Sequence, residues 1–372
     1  MEILRKLYTS IQRTLFPMLE EELGELTEKQ KEFVRVVELV RPSRFIGVNL
    51  SWNGTGRPLS SREGILRAFI LKAVYNLPTT KVLIENLETN PSLRRLCCWE
   101  YRSQVPSEAT FSRAFNEFAE LKLPDVIQQA MVAENFGDKT VGHNSLDSTA
   151  IKAREKSCRK NTPKSKAKKK RGRKSKAEKA ELAERELGEI KTRRLELQPY
   201  RSLNENLMDL PTGCDWGGKS NSQGKYEYWK GYKLHLAVGD GGVPLSAILT
   251  SASPHDSQAA IPLMQKTCGL VGRIFYDLAD SAYDAPEIHE MSRSFGHVPI
   301  IDPNKRRGAE AELEPAKKIR YNERTTVERT NSDLKDNYGG RNVRVKGHLK
   351  VFCHLMFGVI VITAKQLFNM LN

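Results

Sequence analysis

The run "RYNERTTVERTNSDLKD", Arg320 to Asp336, places a phenol, a guanidinium, a carboxylate and an ammonium at Tyr321, Arg324, Glu328 and Lys335. On an α-helix at ~100° per residue, Arg324, Glu328 and Lys335 fall at roughly −60°, −20° and −40° from Tyr321. All four then share about one sixth of the circumference. Such a stripe has no apolar face to bury, and it suits holding a cation while gripping the phosphates around it. The simpler alternative is a solvated face with one Arg–Glu pair worth a few tenths of a kcal/mol. A single face shared by all four favours the chemical reading.

A lone glutamate does not hold a catalytic Mg²⁺, so strand acids must face this helix. Asp147, inside "NSLDSTAI", lies in the middle of a strand pattern, where an acid is costly to bury unless it is paired or ligating. Asp280 ends the apolar run "IFYDLAD" and can be presented at the sheet edge. Asp277 is the rival, but three residues away on a strand it points to the opposite face. Asp284 reads as a turn or helix-cap residue. Two strand aspartates and one helix glutamate make the carboxylate set of a two-metal phosphoryl-transfer site. Such a site needs no histidine base, so in "SPHDS" we read Asp256 as a helix cap and give His255 no role. Tyr228 and Trp229 beside Lys230 could stack on an unpaired base, with strand-core packing the preferred reading.

Several elements must position these groups. Residues up to about 140 read as helical. "SREGILRAFILKAVYNL" has Ser60 or Ser61 as N-cap and Ile65, Leu66, Phe69, Ile70 and Ala73 on one face. "PSEATFSRAFNEFAEL" begins with a capping-box pattern at Ser107 and buries Phe111, Ala114, Phe115 and Phe118. It displays Ser112, Arg113 and Asn116, which suits a helix-turn-helix-like module; an ordinary helical bundle is the alternative. At "VGHNSLDSTAIKA" the period changes to that of a strand. "KYEYWKGYKLHLAVGDGGVPLSAILTSAS" reads as a hairpin about its Gly-Asp-Gly-Gly turn. "SQAAIPLMQKTCGL" is a helix, and "GRIFYDLAD" and "HVPIID" are strands. A hairpin followed by alternating helix and strand indicates a mixed α/β sheet. We therefore expect a helical domain over 1–138 and an α/β domain over 139–372, interrupted by a basic, partly disordered insert at about 152–224.

The chain has 372 residues, enough for about two or three domains, and its 39% hydrophobic content excludes general disorder. Its net charge of +15 is concentrated. Lys152 to Lys179 holds fifteen Lys and Arg against two Glu, so the remainder is close to neutral. Nucleic acid is the leading partner class. Six scattered cysteines, with no C-x-x-C pair, argue against disulfides or zinc and suit a reducing cytosol. "VFCHLMFGVIVITA" is ~14 residues where a bilayer span needs ~20, so it reads as a buried core helix.

These segments carry a resemblance. "YNERTTVERTNSDLK" fits the Y-x2-R-x3-E-x6-K signature of prokaryotic insertion-sequence transposases of the DDE superfamily at every fixed position. "LDSTAIKA" resembles that family's first-aspartate segment. "LADSAYDAPEI" resembles its "AD-x-x-YD" block, with Ser281 and Ala282 where Lys-Gly is more familiar. The hairpin region and the helical stretch from Gly56 resemble the corresponding parts, and the basic insert has no counterpart.

The resemblance implies an RNase H-like α/β catalytic domain behind an all-α DNA-end-binding domain. Asp147, Asp280 and Glu328 would bind two Mg²⁺, with Mn²⁺ a possible substitute. Tyr321, Arg324 and Lys335 would contact the backbone of the element's end. The implied activity is Mg-dependent cleavage at insertion-sequence ends and strand transfer into target DNA, by a homodimer or larger assembly in the cytoplasm at the nucleoid, with no membrane. In the insert, "KKRGRKSK" places Arg171 and Arg173 in an Arg-Gly-Arg core similar to AT-hook peptides. Lysines replace their usual prolines, and sequence-independent phosphate binding is the stronger reading. Two alternatives remain: a nuclease of the same fold that does not join, and a non-catalytic transposase-derived DNA-binding regulator.

Overall fold

The computed structural model describes residues 1–49, 60–158, 193–220, 224–304 and 313–371. Nine helices precede the sheet among these residues: α1 (Glu2–Ser10), α2 (Phe16–Leu23), α3 (Glu28–Val40), α4 (Ser43–Asn49), α5 (Arg62–Val74), α6 (Thr80–Thr89), α7 (Pro91–Leu96), α8 (Glu108–Glu120) and α9 (Leu123–Phe136). Ser61 caps α5 as its position suggests, accepting the Gly64 N–H at 3.1 Å. Ser107 does not close a capping box on α8, because its hydroxyl is engaged by Thr110 Oγ1 at 3.2 Å. The apolar face expected for α8 is buried as read. Arg62 grips Glu117 with both Nε (2.7 Å) and a terminal nitrogen (2.8 Å), a bidentate tie between α5 and α8.

The sheet begins with β1 (Thr140–Lys152). After α10 (Arg194–Leu197) and α11 (Leu203–Asp209) come β2 (Asp215–Ser220), β3 (Tyr226–Val238) and β4 (Pro244–Ser251). Then follow α12 (Ser257–Cys268), β5 (Arg273–Ala279), α13 (Pro286–Ser294) and β6 (Val298–Ile301). The order is β2-β3-β1-β5-β6, with β4 also on β3. β3 runs antiparallel to β1, β2 and β4, whereas β5 pairs parallel with β1 and β6 with β5. Antiparallel strands continued by two parallel ones, with helices on both faces, form the expected RNase H-like arrangement.

The expected insert is not unstructured throughout. Residues 193–209 dock on α12, where Leu195 and Leu207 pack against the smaller core. Gln198 donates to the Gln258 carbonyl at 2.7 Å, and Asn206 to Gln265 Oε1 at 3.0 Å. Two apolar anchors and these buried amides are enough to fix a short segment against a helix. The basic run's Arg171 and Arg173 lie outside the described residues.

Beyond the sheet come α14 (Pro315–Tyr321), α15 (Thr325–Asn337) and α16 (His348–Asn369). α16 is long and apolar enough to cross a bilayer, yet 83% of its most apolar window is buried within the fold. It packs on α3, α5, α8, α9, α15 and β4, so the N-terminal helices and one sheet face share a single apolar core. It is therefore the core helix that its apolar run suggests. One close approach is at Gly358, where a Cβ would strike the Tyr338 carbonyl and lie 2.6 Å from Leu334 Cδ1. Gly358→Ala is expected to destabilise the protein by about 1–3 kcal/mol, seen as a lower urea midpoint.

Candidate active site

The parallel register of β1 with β5 does most of the positioning. Leu146 pairs with Ala279, the last residue of β5, so Asp147 and Asp280 each directly follow that pair on neighbouring segments. Asp147 is only 9% exposed. Asp280 leaves the strand and folds back, accepting the Ala282 N–H at 2.9 Å, which starts a tight turn and orients its carboxylate. Burial pushes the Asp147 carboxyl up to about 6; the Asp280 charge adds to this, while Lys219 and Arg324 oppose it. The two acids therefore sense each other across the strand gap.

The helix crossing above them is α15, which packs on β1 and β3 through Val327, Thr330, Asn331 and Leu334. Asn331 Nδ2 donates to Asp147 Oδ2 at 2.9 Å. Glu328, three residues earlier, is half exposed and bound to Arg324 at 2.6 Å. The four residues read as one helical stripe do not lie on one regular helix. Tyr321 ends α14, a 3₁₀ turn spans Asn322–Arg324, and Glu328 and Lys335 belong to α15. The tighter turn nonetheless keeps the Arg324 guanidinium 5.6 Å from the Tyr321 ring centroid and on Glu328.

Arg324 is the electrostatic hub. Burial works against its charge, but Tyr321, Glu328, Asp147 and Asp280 outweigh that and hold its pKa above the usual value. Burial lowers Lys335, with Arg341 and Lys219 adding to the effect and Asp147 opposing it. Burial raises the Tyr321 phenol, which Arg324 partly offsets. Arg324 thus senses all three acids, and Lys335 senses Asp147.

The rival acids have other tasks. Asp277 is buried and accepts from Asn144 Nδ2 (2.8 Å), Ser292 Oγ (2.7 Å) and His297 Nδ1 (2.8 Å). Asp284 meets His289 Nε2 at 3.0 Å and the Asn304 N–H at 2.9 Å, a turn role. Asp256 does not cap α12. Its backbone is already helical (φ −61, ψ −33), and its carboxylate turns to Lys233 Nζ at 2.7 Å. His255 Nδ1 meets Ser257 Oγ at 2.9 Å. Trp229 is buried strand core, while Tyr228 is 68% exposed. Arg113 stands exposed on α8, donating to its own helix's Ala109 carbonyl at 3.3 Å.

Three neighbours were not singled out from the sequence. Asn331 could have been found, since it follows Glu328 by one helical turn on the buried side. Tyr283 lies in the quoted "LADSAYDAPEI" block. Lys219 sits on a glycine-containing strand that gave no signal. The buried Tyr283 hydroxyl and Asn331 Oδ1 find no hydrogen-bond partner among the described residues. Burial drives the Tyr283 phenol far up, and the charges of Asp256, Asp147 and Asp280 reinforce this.

Among the described residues, no three acidic or other ligating side chains are preassembled around a point. The donor set nonetheless fits a hard divalent cation, which takes oxygen ligands: adjacent Asp147 and Asp280 repel each other, and a cation between them would relieve that repulsion.

A protein-family model described as a transposase DDE domain matches residues 142–364, from β1 to near the end of α16. A second, described as a transposase domain (DUF772), matches residues 21–117, which end within α8. Searches of the curated proteins and of the solved structures gave no significant match.

Proposed function

Because the chain belongs to the transposase DDE domain family, we propose that it cuts DNA at the ends of an insertion sequence and joins them to target DNA, using Asp147, Asp280 and Glu328 as its catalytic acids. The observation that supports this reading is the Leu146–Ala279 register, followed on one segment by Asp147 and on the other by Asp280, whose charge acts on the Asp147 carboxyl, with the helix bearing Glu328 packed on β1.

Mg²⁺, as two ions replaceable by Mn²⁺, would be held by those three carboxylates and would activate water, then a 3′-hydroxyl, against a scissile phosphate. Asn331 holds one oxygen of Asp147 and the Ser148 backbone N–H also bonds the carboxylate, which together fix its rotamer. In the free protein Arg324 neutralises Glu328; an incoming phosphate competes for the guanidinium and releases the carboxylate toward the aspartates. Lys335, Tyr321 and Lys219 complete a cationic, hydrogen-bonding surround for the backbone beside the cut.

We draw a functional boundary at residue 138, with the helices before it, including exposed Arg113, binding the element's end. Arg171 and Arg173 would add sequence-independent phosphate contacts. An element has two ends to be joined together, which favours a homodimer or larger assembly acting on DNA at the nucleoid. Lys335→Ala is expected to weaken end binding about tenfold and to reduce the slope of log affinity against log salt by about one. Fluorescence anisotropy over a salt series measures both.

The deciding experiment incubates the full chain with end-containing DNA and a supercoiled target plasmid, with Mg²⁺ or with EDTA. Joined products in Mg²⁺ alone support transposition. Nicks without joining would identify a nuclease, and end binding without nicks a regulator.

A further inference from the structure

Lys72 lies on α5, 9% exposed, and none of the described residues offers its ammonium a hydrogen bond or a counter-ion. Burial pushes its pKa down to about 8, and among the described residues no anion offsets this. A buried, unpaired cation is costly, and chains rarely keep one without a partner to receive.

The lysine lines a cavity of about 150 Å³ between α5, α8 and α16. Four rings form its wall: Phe69 stands 5.8 Å from Phe111, 5.0 Å from Phe115 and 5.5 Å from Phe357. His354 also lines it, donating from Nε2 to the Gly339 carbonyl at 3.0 Å. Burial and the Lys72 charge keep that imidazole neutral, pushing its pKa down to about 3. Nδ1 is then left as an acceptor. The only acid on the lining is Glu108, exposed at the mouth.

We propose that this cavity binds a small monocarboxylate with a ring-sized apolar body, its carboxylate on Lys72 Nζ and its ring among the four phenylalanines. A cavity of about 150 Å³ accommodates a benzene-sized body. Inorganic phosphate would leave the aromatic wall bare, and Glu108 disfavours a second negative charge. The site is separate from the acids of β1, β5 and α15, so it stands or falls independently of the catalytic reading. It does touch the far end of α15, since Tyr338 and Gly339 line it too.

The test titrates the full chain with sodium benzoate, with its neutral isostere benzamide and with sodium sulfate, by calorimetry and by backbone amide NMR. The expected result is saturable benzoate binding that shifts Gly339, Val345 and His354, with benzamide at least about tenfold weaker and sulfate silent. Lys72→Met should lower benzoate affinity by about tenfold or more and leave benzamide affinity unchanged or improved. Equal affinities for the acid and the amide, no saturable shift, or undiminished benzoate binding by Lys72→Met would each overturn the proposal. The acid–amide comparison on the unaltered chain decides the matter even where the variant does not fold.

Discussion

Asp147→Asn is expected to lower cleavage of end-containing DNA by about 10³-fold or more while end affinity changes less than about threefold. Asparagine keeps the shape and can still accept the Asn331 Nδ2 bond through its oxygen, so the site's architecture survives. It loses the anion that would hold and charge-balance a divalent ion, which is where such sites gain their rate. A second readout separates this from simple damage. The buried Asp147 carboxyl is pushed up to about 6, so its neutral form is the one the fold favours. It contributes stability below the ordinary carboxyl pKa that is lost as pH rises through about 6. At neutral pH without metal, the variant should therefore match or exceed the unaltered chain, by at most about 2–3 kcal/mol. Adding Mg²⁺ should raise the Tm of the unaltered chain and not that of Asp147→Asn. A metal-induced shift of equal size in both would remove Asp147 from the ligand set.

Asp277→Ala is expected to fail in the opposite way, costing about 3–5 kcal/mol of stability. Three donors converge on Asp277: Asn144 from β1, Ser292 from α13 and His297 from the loop before β6. Removing the acceptor leaves each of them buried without its partner. Asp280→Ala, by contrast, gives up one turn hydrogen bond at a partly exposed position. Thermal unfolding of the two variants side by side distinguishes a structural acid from a catalytic one. A stable Asp277→Ala that had lost activity would reverse the assignment of the two.

Much of this was readable beforehand because the informative residues obey strong local rules. The apolar run ending at Asp280, the Gly-Asp-Gly-Gly turn and the buried face of α8 each follow from period and turn chemistry alone. β2 was not readable, since "DWGGKS" has neither alternation nor β-branched residues; it exists because β3 extends past β4 and offers it an edge. The 3₁₀ turn between Tyr321 and Thr325 was hidden for another reason. Spacing rules assume a uniform helix, and three residues wound more tightly leave no compositional trace. Asp256 went to Lys233 because that ammonium, itself nearly buried, was in greater need of an anion than the helix end was of a cap. Longer-range demands of this kind are invisible to a reading that proceeds along the chain.

The place of α16 in chain order bears on how the protein comes into being. The ribosome releases this helix after every element it packs against, from α3 to α15, so the earlier helices and strands wait with their greasy sides uncovered. The shared core is therefore completed last. Apolar faces left open in the meantime are the ones prone to clumping.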